Sequence, residues 1–487
     1  MTKAHENKVR DLTEGRPMRL IISFAAPLLF GFLFQQLYSF VDTALVGRFL
    51  GADKLAAVGA TGSVNFLVLG FCNGFCSGFA IPVAQAFGAK DHKALKQSVA
   101  QAVYLCAGLS LGMAALTGAL CPWMLRVMDT PEAILPGAVS YIRIIFLTIP
   151  LTVLYSMAGG ILRSLGDSRT PVVFLVAASL INIALDILFI LVFRMDVAGA
   201  AVATAISQGV SGLGCVIVIV KRYPLLRLSR DDWRFRPALA GKLLGTGVPM
   251  GLQFSITAIG SVILQTAVNG LGVSAVAAIA TASKISMCLV CVFDALATTM
   301  ATFAGQNMGA GKISRIREGI AACAKIGVVY SLAAFALSLA AAQELIGLFL
   351  DTAKEAEVTA LAVRFLHINT AFYVPLLFIY ILRLAIQGMG YTRVAMIAGV
   401  FEMGARIAVA LVLVPALGFT GACLANPAAW VMADVFLFPC CRRILFRLQA
   451  RAGEPDKGVS ANAAENRVLP REPRYPRARA VHLPGGR

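Results

Sequence analysis

Long apolar stretches dominate this chain and decide what it can fold into. Runs of about 20 apolar residues recur from Leu20 to about Phe446, with polar or Gly/Pro-rich joints between them. As a helix, each run is long enough to cross a hydrocarbon core of about 30 Å. Charged residues make up only 14% of the 487 positions, far below the share in soluble domains. The sequence therefore predicts an all-α integral membrane protein, and no sustained alternation of polar and apolar residues favours a β-barrel.

Twelve of these runs are predicted to be transmembrane helices. The lipid bilayer is then the main environment of the chain, because a helix satisfies its own backbone hydrogen bonds within the hydrocarbon region. The predicted spans are 18–46, 54–82, 97–124, 134–160, 171–194, 198–220, 240–268, 273–303, 318–350, 357–385, 394–416 and 418–446.

The formal charge of +18 reflects membrane topology. Basic residues collect in every second segment between the predicted spans, whereas the alternate loops hold few. This distribution argues against a nucleic-acid partner and indicates a multi-pass protein of the plasma (inner) membrane with both termini cytoplasmic. The cytoplasmic leader, residues 1–17, precedes a first span that we expect to stay as a signal anchor. The basic residues assigned to cytoplasmic segments include Lys90, Lys93, Arg163, Lys312, Arg383 and Arg393.

The chain is predicted to be an internal duplication. A basic cytoplasmic linker, residues 221–239, separates six spans from six. An offset of about 221 residues aligns LGADKLAAVGAT (50–61) with LGVSAVAAIATA (271–282), and AQAFGAKD (84–91) with GQNMGAGK (305–312). Because six crossings separate the repeats, the two six-helix bundles, 18–220 and 240–446, are related by a parallel pseudo-two-fold axis. The cytoplasmic tail, 447–487, is basic and rich in Pro and Gly, so we expect it to be disordered.

Several motifs together resemble the multidrug and toxic compound extrusion (MATE) family, and its DinF-type branch in particular. They are the run FAAPLLFGFLFQQLYSFVDTALVGRFLGADKLAAVG, the AFGAKD and GQNMGAGK loops, and the LRSLGDSRTP joint. The resemblance covers about residues 15–446. It implies an ion-coupled antiporter without a cofactor, which exports amphipathic, often cationic organic compounds by alternating access in exchange for inward H⁺ or Na⁺. One chain holds both halves, so we expect a functional monomer.

Two acidic residues, Asp42 and Asp186, lie within predicted spans, where an ionised carboxylate is costly and marks a functional site by default. A rise of 1.5 Å per residue places both in the outer half of the membrane, at the depth of Asn182 and Thr204. This set suits either Na⁺, with all four residues as metal ligands, or a proton shared by the two acids. The resemblance assigns the coupling-ion site to these four positions. The alternative is that both acids only hold helices together through hydrogen bonds.

Further candidates are expected to line a cavity. The resemblance adds Gln35 and Tyr38, which share a helix face with Asp42. In the second half, Asp294, Glu402 and Asp434 are acids nearer the cytoplasm, and Glu402 and Arg406 are spaced for an i, i+4 ion pair. Lys284 near the midplane needs an acidic partner or a place at the cleft. The seventh span carries Gln253 and no acid, which argues against ion coupling there. The cavity candidates are Gln35, Tyr38, Gln253, Lys284, Asp294, Glu402 and Arg406.

Two other classes of function compete with an antiporter. A lipid-linked precursor flippase of the same two-bundle plan needs a basic cleft for pyrophosphate, which Asp42 and Asp186 disfavour. A membrane-embedded transferase needs an acidic metal-chelating cluster or an activated base, and the loops hold no DxxxD-type cluster or HExxH motif. The GxxxxGK[ST] motif of ATP-driven transport is also absent. The sequence therefore favours a transporter over an enzyme.

Overall fold

The computed structural model describes residues 11–128, 130–352 and 354–453, and these residues are almost entirely helical. Ten of the helical segments are long and apolar enough to cross a membrane, and two bent pairs of shorter helices pass the same test together. Counting each bent pair as one span gives twelve. The prediction of an all-α membrane protein is therefore confirmed.

The helices are numbered here in chain order, and several predicted spans are divided. The first half contains α1 Pro17–Leu50, α2 Ala52–Ala60, α3 Gly62–Gly88, α4 His92–Val127, α5 Leu135–Leu147, α6 Ile149–Ser164, α7 Arg169–Ile187 and α8 Asp196–Arg222. The second half contains α9 Pro237–Asn269, α10 Val273–Gly309, α11 Ile313–Gly347, α12 Ala356–Ala371, α13 Tyr373–Gly388, α14 Thr392–Ala408, α15 Val414–Leu417 and α16 Phe419–Ala452.

Irregular features of the helices repeat between the two halves. One π-helical turn, Leu188–Val192, follows α7, and another, Val409–Leu413, follows α14 at the predicted offset of about 221 residues. The α5–α6 pair bends by 46°, and the corresponding α12–α13 pair bends by 52°. Since π turns are rare and frequent at functional sites, their recurrence at one offset supports a duplicated plan.

Each half has its own apolar core, but the first helix of each half begins in the core of the other. The initial turns of α1 bury Ile21, Phe24 and Leu28 in a cluster made mostly by α10, α11, α13 and α16. Leu243 near the start of α9 lies correspondingly in the cluster of the first half. Within a membrane such contacts stabilise through close van der Waals packing, because lipid tails are as apolar as these side chains, and the reciprocal crossings join the two bundles.

The loops 89–91, 165–168, 310–312 and 389–391 share one end of the molecule with the 223–236 linker. We call this the basic end, and the other the opposite end. The predicted tail was placed too early, because α16 continues through 447–452 with Leu448 and Gln449 buried against its neighbours. The rest of that tail and residues 1–10 of the leader lie outside the described residues.

Candidate functional site

Asp42 and Asp186 meet between α1 and α7, in the half of the molecule toward the opposite end. Asp186 is fully buried, one residue before the final residue of α7 and next to the π turn. Asp42 is half-buried, and the two carboxyl groups lie within interaction range of each other. Asn182, one turn earlier on the Asp186 face, is 1% exposed. The two acids, which the sequence places at a similar depth, are therefore neighbours in the structure.

The polar atoms of this pair are short of partners among the described residues. Both carboxylate oxygens of Asp186, Oδ1 of Asp42 and both side-chain polar atoms of Asn182 are buried without a hydrogen-bond partner there. No ion pair within the described chain neutralises either acid. Leaving such groups unpaired in a dry interior is costly, so the arrangement fits a site that takes a proton or a small cation.

Hydroxyl groups complete the surroundings of the two acids. Tyr38 lies beside Asp42, Asp186 and Thr204. Thr204 donates its hydroxyl hydrogen to the Ala200 carbonyl oxygen over 3.0 Å, and its side chain lies within hydrogen-bonding range of the Tyr38 hydroxyl group. Tyr141 on α5 also faces both acids. Tyr141 could not be predicted from the sequence, because a lone tyrosine in an apolar span carries no periodic signal.

We call these residues the acidic cluster. It consists of Tyr38, Asp42, Tyr141, Asn182, Asp186 and Thr204. Its potential ligands are all oxygens, because the amide NH₂ of Asn182 is a hydrogen-bond donor only. Hard oxygen donors are what Na⁺ and other hard cations prefer. Two interacting carboxyl groups are equally suited to share one proton.

A cavity of about 390 Å³ lies between α1 and α10, adjoining the acidic cluster. Gln35, Tyr38 and Asp294 are among the residues that line it. Tyr38 belongs both to this cavity and to the acidic cluster. Because of this shared residue, the cavity and the acidic cluster are contiguous. The remaining lining residues are Phe32, Gln36, Ser39 and Cys291.

Other predicted cavity residues lie elsewhere in the second half. Glu402 is buried between two guanidinium groups, forming an ion pair with Arg383 and a longer one of 3.8 Å with Arg406. Asp434 lies near Arg383 on the same interior face. None of these four residues lines the cavity. They form a buried charged quartet of two acids and two bases.

Assigning Arg383 to a cytoplasmic segment was wrong. The residue is 8% exposed inside α13, because Glu402 and Asp434 on two other helices compensate its charge. Gln253 accepts a hydrogen bond of 2.6 Å from Gln387 and is also enclosed in the second half, away from the cavity.

Lys284 neither pairs with an acid among the described residues nor lines the cavity. It is exposed, and its Nζ lies 5.5 Å from the ring centroid of Phe349. Phe349 in turn meets Phe40 of α1 edge-to-face at 5.6 Å, which links the two halves toward the opposite end. Neither expected environment of Lys284, an acidic partner or a place at the cleft, is found among the described residues, and an aromatic ring makes a favourable contact with its ammonium group.

Comparisons with known proteins agree with this architecture. A family model described as MatE matches the chain twice, over residues 27–188 and 249–412. The probable multidrug resistance protein YpnP of Bacillus subtilis (strain 168) is 32% identical over 311 residues, covering 63% of this chain and 69% of that protein. DNA damage-inducible protein F of Escherichia coli (strain K12) is 28% identical over 429 residues, covering 85% of this chain and 88% of that protein.

A solved structure shares the fold. It is the outward-facing conformation of a multidrug resistance MATE family transporter of the MOP superfamily, with a TM-score of 0.85 and 23% sequence identity. The match covers 91% of this chain and 99% of that one. The two-bundle arrangement described above is therefore an arrangement found in solved transporters.

Proposed function

This chain belongs to the MatE family of membrane transporters, and we propose that it is a secondary antiporter exporting amphipathic, often cationic organic compounds in exchange for inward H⁺ or Na⁺. The basic end faces the cytoplasm in this proposal, since basic loops are retained on that side of a membrane. Both termini then lie in the cytoplasm, and the protein acts in the plasma membrane as a monomer. Alternating access of the central cavity exchanges ion and cargo.

One observation carries the proposal: two carboxyl groups, Asp42 and Asp186, face each other inside the membrane without a compensating base among the described residues. Two such groups cannot both stay ionised unless a cation binds to them, and otherwise one of them takes up a proton. The pair therefore binds the coupling ion, with Asn182 and Thr204 supplying further oxygen ligands if that ion is Na⁺. An ion that enters from the opposite end neutralises the carboxyl pair. This neutralisation favours the conformation of the bundle that releases cargo.

The cavity supports a cationic cargo. Asp294 is the charged residue among its lining residues, and glutamines, a tyrosine and a phenylalanine surround it. An acid beside apolar and aromatic surface suits an amphipathic cation. A flippase for pyrophosphate-linked lipids would instead need basic groups here, and the lining residues include none. Tyr38 brings this cargo cavity next to the acidic cluster, so ion and cargo compete.

The test is transport of a fluorescent cationic dye by the purified full chain in reconstituted vesicles. Proton and sodium gradients are imposed separately, each in the inward and the reversed direction. We expect one of the two gradients to drive dye movement against the ion flow, and that gradient identifies the coupling ion. If the folded protein transports dye at a rate that depends on neither gradient, antiport is contradicted.

Replacing Asp294 with asparagine will weaken recognition of cationic cargo selectively. The change removes the charge that faces the cavity, and the loss of one such contact costs on the order of tenfold in apparent affinity. The measurement compares KM for a permanently cationic dye with KM for an uncharged amphipathic dye. The matched control is Glu344→Gln, because Glu344 is an exposed acid on α11 outside the cavity. An equal change in KM for both dyes would show that Asp294 does not recognise the charge of the cargo.

A further inference from the structure

The AFGAKD and GQNMGAGK motifs meet each other at the basic end, in a reciprocal contact between α3 and α10. A Cβ atom on Gly88 would lie 1.9 Å from the backbone oxygen of Gln306, and one on Gly309 would lie 1.8 Å from the backbone oxygen of Gln85. Real Cβ atoms do not approach backbone oxygens so closely. Each glycine thus lets the other half of the molecule touch its helix backbone directly.

The two glutamines cross the same boundary in a reciprocal way. Gln85 donates a hydrogen bond of 3.0 Å to the carbonyl oxygen of Gly388, at the end of α13 in the second half. Gln306 donates one of 2.8 Å to the carbonyl oxygen of Ser164, at the end of α6 in the first half. Both side chains are buried. Each therefore satisfies a free carbonyl at the end of a helix in the opposite bundle.

The leader residues close over this boundary. Gln306 Oε1 also accepts a hydrogen bond of 2.8 Å from the Leu12 backbone nitrogen, and Asn307 donates to the Leu12 carbonyl oxygen over 3.2 Å. Lys312 and Arg315 bind the carbonyl oxygens of Thr13 and Gly15 over 3.0 and 2.9 Å. The side chain of Leu12 is fully buried. Gln306 thus ties the leader, α6 and α10 together at one point.

We infer that Gln85, Gly88, Gln306 and Gly309 form the gate at the basic end, which holds the cavity shut on that side and must separate whenever the cavity opens there. We call these four residues the glutamine–glycine seam. The inference rests on the proposed alternating access. It assigns the two motif repeats a role that neither the acidic cluster nor the cavity explains. A direct backbone contact has two discrete states, apposed or separated, as a gate requires.

The experiment measures opening of the seam directly by the distance between two spin labels. The labels are attached at Lys93→Cys on α4 and Glu318→Cys on α11, both exposed positions flanking the seam in opposite bundles. The partly exposed native thiols are first removed as Cys288→Ser and Cys440→Ser. We expect a short distance for the closed seam and a second, longer one for the open seam in the unmodified background.

Two kinds of variant should shift this distribution in the same direction. Gly88→Ala and Gly309→Ala place a methyl group on the opposing backbone, so the longer distance should predominate. Gln85→Leu and Gln306→Leu remove only the hydrogen bonds, and the ratio of open to closed seam should rise about fivefold. The leucine variants keep the test valid if an alanine variant does not fold.

Matched controls are Gly108→Ala, whose added Cβ would meet nothing within 4 Å, and Gln265→Leu, an exposed glutamine on α9. A folded seam variant with the unmodified distribution, or a single fixed distance under every condition, would overturn the inference. Dye transport is measured on the same samples. A seam that opens in a protein without ion-driven transport would refute the proposed antiport and leave the gate standing.

Discussion

Asp42→Asn and Asp186→Asn will each lower the rate of ion-driven dye efflux by about 100-fold. Each substitution removes one of the two carboxyl groups that face each other in the acidic cluster. An amide neither releases a proton nor balances the charge of Na⁺, so the site loses its ability to load and unload the coupling ion. Losing the differential binding of an ion removes its influence on the conformational equilibrium.

The measurement is initial dye flux in reconstituted vesicles under the driving gradient, with dye binding measured separately. Binding should survive, since Asp294 and the other cavity residues are unchanged. The control is Asp53→Asn, the same substitution at an exposed position on α2, where we expect normal flux. If Asp42→Asn transports normally while remaining folded, Asp42 only joins helices, and the ion path runs elsewhere.

The double variant tests whether the two acids bind one ion together or contribute independently to transport. If one bound ion requires both carboxyl groups, Asp42→Asn with Asp186→Asn should be no worse than either single variant. Independent contributions would instead multiply.

Tyr38→Phe tests a different contact, because it removes the hydroxyl group that the cavity and the acidic cluster share. Flux should then fall with the gradient dependence kept, because the carboxyl pair remains.

The features that the sequence predicted correctly have local signals. A transmembrane helix can be predicted because it consists of about 20 consecutive, mostly apolar residues. Asp42, Asp186 and Thr204 could be brought together because the helix rise converts sequence distance from a span end into depth. The duplication was readable because GQNMGAGK repeats the position of AQAFGAKD. Each of these inferences needs only neighbouring residues or a constant offset.

The features that were missed depend on partners far away in the sequence. Arg383 looks like a residue at a helix end, where its charge reaches water, and its burial depends on Glu402 and Asp434 in other helices. Leu12 is one apolar residue in a polar leader, and nothing nearby shows that Gln306 and Asn307 bind its backbone. Tyr141 joins the acidic cluster only because α5 packs beside α8.

Glu402→Gln will destabilise the second bundle strongly. Glu402 is 4% exposed and contacts Arg383 and Arg406, which are 8% and 6% exposed. Its loss leaves two buried guanidinium groups with Asp434 as the nearby acid of the quartet. Breaking a buried charge pair from one side costs about 3–5 kcal/mol, because an uncompensated charge stays in a dry interior. For a bundle of this size we expect the Tm to fall by roughly 10 °C.

Thermal unfolding of the detergent-solubilised protein checks this prediction. Asp351→Asn is the control, because its ion pair with Lys354 at 3.0 Å is exposed and should be worth about 1 kcal/mol or less. The double variant Glu402→Leu with Arg406→Leu removes one charge of each sign and should recover much of the loss, since the remaining Arg383 and Asp434 still balance. If Glu402→Gln is as stable as the unmodified protein, water reaches the quartet. In that case the second half would contain a hydrated polar path through its interior, and not a buried ionic clamp.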